Sequence, residues 1–159
     1  MSENYKEAFE KTKIAGGIAA GALDEVSKII KPGIKTKDID KLTHEYLNDS
    51  GAFSAPLYYR GFPKSCCTSV NHVVCHGIPS DKILKDGDIV NVDVTALKNG
   101  WHGDTSRTFE IGEVSIKAKK LVKTTYDAMM KAIKIVKEDI YLGDIGATIQ
   151  NHVEAEGFS

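Results

Sequence analysis

Residues 88–111 read Asp88-Ile-Val-Asn-Val-Asp-Val-Thr-Ala-Leu-Lys-Asn-Gly-Trp-His-Gly-Asp-Thr-Ser-Arg-Thr-Phe-Glu-Ile111, and this stretch decides the architecture. From Ile89 to Ala96 the residues alternate strictly: Val90, Val92, Val94 and Ala96 share one face, and Ile89, Asn91, Asp93 and Thr95 the other. That is the period of a half-buried strand. Asn99-Gly100 then supplies a two-residue turn, because both residue types accept the positive φ of a type I′ hairpin. Such a turn sets Lys98 opposite Trp101, Asp93 opposite Ser106 and Thr95 opposite Asp104. Asp93 and Asp104 become diagonal neighbours on one face, with Cα atoms about 7–8 Å apart. An odd loop or a one-residue bulge would reverse one strand's faces and separate them.

Two readings of the pair stand side by side. In one, the aspartates are solvated positions on an open sheet face. In the other they are hard oxygen ligands converging from adjacent strands, suited to divalent ions about 3.5–4 Å apart as in two-metal hydrolases. Aspartate is disfavoured inside strands, and Asp93 interrupts a valine run, so it calls for a compensating partner.

The 159 residues make one domain's worth of chain, enough to bury a core. With 42% hydrophobic and 27% charged residues the composition is that of an ordinary globular protein. A net charge of −1 argues against bulk nucleic-acid binding, and the cluster of Lys117, Lys119, Lys120 and Lys123 reads as a solvated helix face. The polar N-terminus has no apolar signal core, and no run of about eighteen apolar residues occurs, so neither export nor membrane insertion is expected. Three cysteines, Cys66, Cys67 and Cys75, fit reduced thiols in a cytoplasm. With His76 they lack the spacing of a structural zinc site.

Along the chain, the spacing of Ile14, Ile18, Ala22, Val26, Ile29 and Ile30 predicts a helix over residues 4–30. Gly16, Gly17 and Gly21 allow that helix a close approach to a sheet, and Pro32-Gly33 stops it. Thr36 reads as the N-cap of a second helix with Asp38 in its first turn and an apolar stripe of Ile39, Leu42, Tyr46 and Leu47. Residues 51–65 form an aromatic loop in which Leu57, Tyr58, Tyr59 and Phe62 pack a core or line a pocket. Thr68 to Val74 reads as a strand, and the Cys75–Pro79 stretch is its tight exit. His76 sits at that strand end as a structural histidine or as a donor in a cleft. Ser115 caps a third helix carrying Leu121, Val122, Met129, Ile133 and Val136, and Gly143-Asp144 precedes a fourth with Ile145, Ile149 and Val153 that ends at Gly157.

The chain also matches itself at an offset of 106 residues: Lys28, Ile29, Lys31, Ile34, Asp38, Ile39 and Gly51 recur as Lys134, Ile135, Lys137, Ile140, Asp144, Ile145 and Gly157. This is a duplicated helix pair. After the first copy come the strands that carry His76, Asp93 and Asp104, whereas the sequence stops two residues after Gly157. The expectation is a single domain over residues 1–159, incomplete at its C-terminus.

Four segments now resemble one family: Gly61–Asn71, Val74–Pro79, Gly87–Val94 and Gly100–Phe109, in order and at matching spacing. They are similar to bacterial type I methionine aminopeptidases, across essentially the whole chain. The resemblance implies a mixed α/β (α+β) pita-bread fold with pseudo-two-fold symmetry. It implies metal-dependent removal of initiator methionine, with two divalent ions drawn from cobalt, manganese, iron, zinc and nickel. Asp93 and Asp104 match two metal ligands, Asp104 bridging. His76 matches a histidine that hydrogen-bonds substrate near the scissile amide, and Tyr59, Phe62 and Cys67 fall where the methionine side chain is received. Phe62 replaces a frequent tyrosine and Pro56 a frequent cysteine. The implied partners are the N-terminal methionine of peptides and nascent chains and the ribosome's vicinity, in a cytoplasmic protein that is a monomer when full length.

The family's remaining ligands, a histidine and two glutamates, match nothing here. His152, Glu154 and Glu156 lie on the fourth helix and do not stand in for them. The chain alone is therefore expected to bind metal weakly and to show little or no activity. Two rival readings are a non-catalytic peptide-binding module of the same fold, disfavoured by the retained aspartates and His76, and a proline-specific relative, disfavoured by the Cys67 and His76 contexts.

Overall fold

A computed structural model describes residues 3 to 159. It contains two compact units, residues up to Val114 and residues from Ser115 onward. The first holds α1 (Glu3–Ile29), α2 (Thr36–Asp49), β1 (Phe53–Ser54), β2 (Cys67–Val70), β3 (Ile89–Lys98) and β4 (Trp101–Glu110). The second holds α3 (Ile116–Ile135) and α4 (Leu142–Ala155).

The hairpin has the register read from its turn. Asn99 and Gly100 both take positive φ, 51° and 83°, and Lys98 pairs with Trp101, Thr95 with Asp104 and Asp93 with Ser106. The other edge of β3 is shared by β1 and β2, all pairings being antiparallel. Val90, Val92, Val94 and Ala96 are fully buried, as their alternation demands, and join Leu23, Val26, Ile39, Leu47 and Leu84 in the core.

Helix α1 packs on β3 and β4 with a face that overlaps the expected stripe in part: Ala22 and Val26 are fully buried, and Ile18 and Ile30 pack partly buried against the core. Its buried residues are Ala15, Ala19, Ala22, Leu23 and Val26, whereas Ile14 is 55% exposed. The close approach is permitted chiefly from the strand side: a Cβ on Gly103 would collide with the Ala15 and Gly16 backbone, while Cβ atoms on Gly16 and Gly17 would meet open space. Gly21 serves the contact with α2, because a Cβ there would strike the Tyr46 hydroxyl.

Helix α2 begins one residue earlier than a Thr36 cap implies. Lys35 is the N-cap, and its N–H donates to the Asp38 carboxylate at 3.3 Å. The Thr36 hydroxyl instead donates to the Ser80 carbonyl and accepts from the Ser80 N–H, tying residues 80–84 to the helix start. Strand β2 also stops sooner than its sequence suggests. Asn71 turns to φ 54° and its side chain accepts from the Ile89 N–H and donates to Asp88, leaving Val74 95% exposed.

In the second unit Ser115 caps α3 as read, accepting from the Ala118 N–H. The helix buries Thr124, Ala128 and Ala132, while Leu121, Met129, Ile133 and Val136 of the expected stripe remain exposed. The 106-residue offset holds in three dimensions: α2 and α4 have bounds shifted by that spacing, and both N-caps donate to the aspartate at the third helical position. Ser50, Gly51 and Ala52 donate to Tyr46, Asn48 and Leu47, and Glu156, Gly157 and Phe158 repeat this on His152, Glu154 and Val153. Among the described residues no helix is long and apolar enough to cross a membrane.

Candidate metal centre

The polar face of the hairpin carries the candidate site. Because β3 and β4 pair in register without a bulge, Asp93 and Asp104 emerge on the same face. The Thr95 hydroxyl, directly across from Asp104, donates to its carboxylate at 3.0 Å and fixes its orientation. Asp93 is half-buried. Burial first, and then the facing Asp104 carboxylate, raise its carboxyl above the ordinary range, and the nearby His76 acts in the opposite direction.

Strand β2 brings Cys67 directly opposite Asp93. Its entry is anchored by α2, where the Asp40 carboxylate accepts from the Ser65 and Cys66 N–H groups at 2.6 and 3.2 Å. The Cys67 thiol is pushed up to about 11 by burial and by the Asp93 charge, so it is neutral near pH 7. His76 is delivered by the strand exit. Gly77 lies so close to β2 that a Cβ would collide with the Thr68 carbonyl, the Thr68 N–H donates to the Gly77 carbonyl at 2.8 Å, and His76 itself takes φ 55°.

All six residues singled out from the sequence, Tyr59, Phe62, Cys67, His76, Asp93 and Asp104, line one cleft of about 760 Å³. Tyr59, in the aromatic loop, is 64% exposed and so belongs to the pocket wall and not to a core. The cleft also includes Thr95, expected on the Asp93 face opposite Asp104, and two residues that no sequence signal singled out, His102 and Arg60. His102 was recoverable, since it lies two residues before Asp104 and so shares its face. Arg60 sits in a short 3₁₀ turn, Tyr59–Gly61, with no periodic signal.

The donor chemistry suits a divalent cation. Two carboxylates face one another, neither has an ion-pair partner among the described residues, and burial together with the Asp104 charge raises the Asp93 carboxyl. Among the described residues no third histidine, cysteine, aspartate or glutamate joins them. In α4 the candidates are engaged elsewhere: Lys131 donates to His152 Nδ1, Gln150 to Glu154, and Lys120 pairs with Glu156.

Residues 10–159 match the pattern of metallopeptidase family M24. The chain belongs to that family. M24 membership brings divalent-metal dependence and agrees with the unpaired carboxylates. Among M24 relatives, a methionine aminopeptidase of Rickettsia prowazekii is 52% identical over 151 residues, which are 95% of this chain and 58% of that protein. A crystal structure of methionine aminopeptidase from the same organism superposes with a TM-score of 0.92 at 51% identity, covering 94% of this chain and 60% of that one. The Thermotoga maritima methionine aminopeptidase gives 0.93 at 41% identity, covering 95% and 61%. The chain thus spans about 60% of the length of these M24 proteins. A prolidase from Pyrococcus furiosus, at 22% identity and a TM-score of 0.83, covering 96% of this chain and 44% of that one, shares the pita-bread fold alone.

Proposed function

We propose that this chain carries the acidic metal-binding face and the methionine pocket of an aminopeptidase that removes initiator methionine from nascent proteins in the cytoplasm. The observation that carries the reading is the pair of facing, unpaired carboxylates at an apolar-walled cleft, in a chain about half identical to methionine aminopeptidases. Proline-specific relatives share only the fold at 22% identity, so the reading follows the methionine enzymes.

In this reading Asp93 and Asp104 would hold the two divalent ions, and Thr95 keeps the Asp104 carboxylate in place through its hydrogen bond. When bound, the ions lower the pKa of water and act as Lewis acids towards a peptide carbonyl. Tyr59 and Phe62 form the wall that receives an unbranched thioether, and Cys67, its thiol neutral, completes that wall as a small apolar group. His76, held over the cleft by the Gly77 contact, donates a hydrogen bond at the scissile amide.

The test is release of free methionine from Met-Ala-Ser against free alanine from Ala-Pro-Ala by the natural gene product supplied with Mn(II) or Co(II). Methionine is expected to dominate, and Asp93→Asn and Asp104→Asn are each expected to abolish its release. Preferential alanine release, or methionine release that survives either substitution, overturns the proposal. For the isolated chain, with two carboxylates as donors, we expect weak metal binding by calorimetry and little or no methionine release.

A further inference from the structure

The wall of the cleft between Tyr58 and Pro63 has an unusual backbone. Tyr58 and Arg60 both lie in the left-handed region, at φ 67° and 48°, where residues other than glycine, asparagine and aspartate are disfavoured. Hydrogen bonds from the Tyr58 N–H to the Phe62 carbonyl at 2.7 Å, and from the Tyr59 N–H to the Pro56 carbonyl at 2.9 Å, hold the segment in this shape. Strain of this kind persists where the surroundings impose it, and it gathers at binding sites. Here its result is to set a guanidinium on the cleft wall.

Arg60 lines the same cleft as Asp93, Asp104 and His76, and no other arginine or lysine does so among the described residues. It is exposed, its guanidinium lies 5.4 Å over the Tyr59 ring, and it makes no ion pair or hydrogen bond with any described residue. The cleft is therefore electrically polar, with two carboxylates on the hairpin and one permanent cation on the 58–63 wall. A peptide whose first side chain rests against Tyr59 and Phe62, with its amino end towards the Asp93–Asp104 face, brings the residues that follow within reach of Arg60 on the same wall. A carboxylate among them meets a planar, fork-shaped donor that forms paired hydrogen bonds with it.

We propose that Arg60 is a specificity-determining residue that selects peptides carrying an acidic side chain within the three residues after the first. The proposal rests on the reading of the cleft as a peptide-terminus site. It names the feature of the substrate that distinguishes good from poor peptides beyond the first residue.

The experiment is a calorimetric or NMR titration of this chain with C-terminally amidated tetrapeptides beginning with methionine. Glutamate, glutamine or lysine is placed in turn at positions two, three and four, and N-acetylated versions serve as controls. At low ionic strength the best-placed glutamate peptide is expected to bind about two- to five-fold more tightly than its glutamine counterpart, the range of an exposed ion pair. The gain is expected to shrink in 0.5 M salt. Arg60→Asn and Arg60→Asp retain residue types that accept the left-handed backbone, which guards against misfolding. The first is expected to equalise the peptides and the second to favour lysine. Equal binding of glutamate, glutamine and lysine peptides at every position overturns the proposal while leaving the methionine reading standing. If free methionine peptides bind no better than their acetylated forms, the reading of the cleft fails and the proposal fails with it.

Discussion

Gly103 and Gly16 meet where β4 comes closest to α1, yet only Gly103 needs to be glycine. A Cβ on Gly103 points into the Ala15–Gly16 backbone, and one on Gly16 points into open space. The two alanine substitutions should therefore move stability in opposite directions. Gly103→Ala is expected to cost about 2 kcal/mol or more, because the helix must shift off the sheet. Gly16→Ala should add about 0.8 kcal/mol from helix propensity alone. Urea denaturation midpoints of the two variants check both signs, and a neutral Gly103→Ala would show that the helix gives way freely. In the sequence the eye falls on the glycines of α1, since a cluster in a helix is conspicuous. The demand on Gly103 comes from a helix far away in the chain and leaves no local mark. The same asymmetry applies in the cleft: Asp93 and Asp104 could be placed by counting residues across a turn, whereas Arg60 owes its position to a left-handed backbone that no periodicity announces.

At the level of elements, the hairpin was legible because two independent signals, strict alternation and an Asn-Gly turn, specify one register. Helix phases were less legible. Isoleucines and leucines suggested the buried face, but alanines occupy the tightest positions in α1 and α3, where backbone closeness matters more than side-chain bulk. The start of α2 shows a similar competition. Thr36 is a good cap by type, yet the residue is buried, 1% exposed, and its hydroxyl serves both polar groups of Ser80, while Asp38 caps the helix from inside. Thr36→Val keeps the shape and leaves the Ser80 N–H without its partner, while the Ser80 carbonyl keeps the Lys37 N–H, so we expect a loss of about 2 kcal/mol. Thr36→Ser should lose much less. Thermal unfolding of both variants tests this, and equal losses would point to packing and not to hydrogen bonding.

Over the whole molecule the two units differ in how much they bury. The first surrounds a continuous core that includes all four inward residues of β3. The second has 45 residues, no buried residue on α4 and an apolar groove of about 380 Å³ lined by Met129, Ile133, Val136, Ile145 and Ile149. A unit so small gains little from its own packing. Amide hydrogen exchange should accordingly be about tenfold or more faster in α3 and α4 than in α1 and β3, a difference that mass spectrometry of labelled peptides resolves. Uniform protection would mean that the second unit is as firmly held as the first.

Within that unit, the turn after α3 carries a record of how a duplicated helix pair drifts. Gly33 follows α1 with φ 94°, and at the equivalent place after α3 stands Asp139 with φ 65°. The two copies share the positive backbone angle and fill it with different residues, each among the few that accept this conformation. Mutational tolerance at Asp139 should thus be read off its dihedral angle: glycine and asparagine are admissible spellings of the same bend, and a β-branched residue is not.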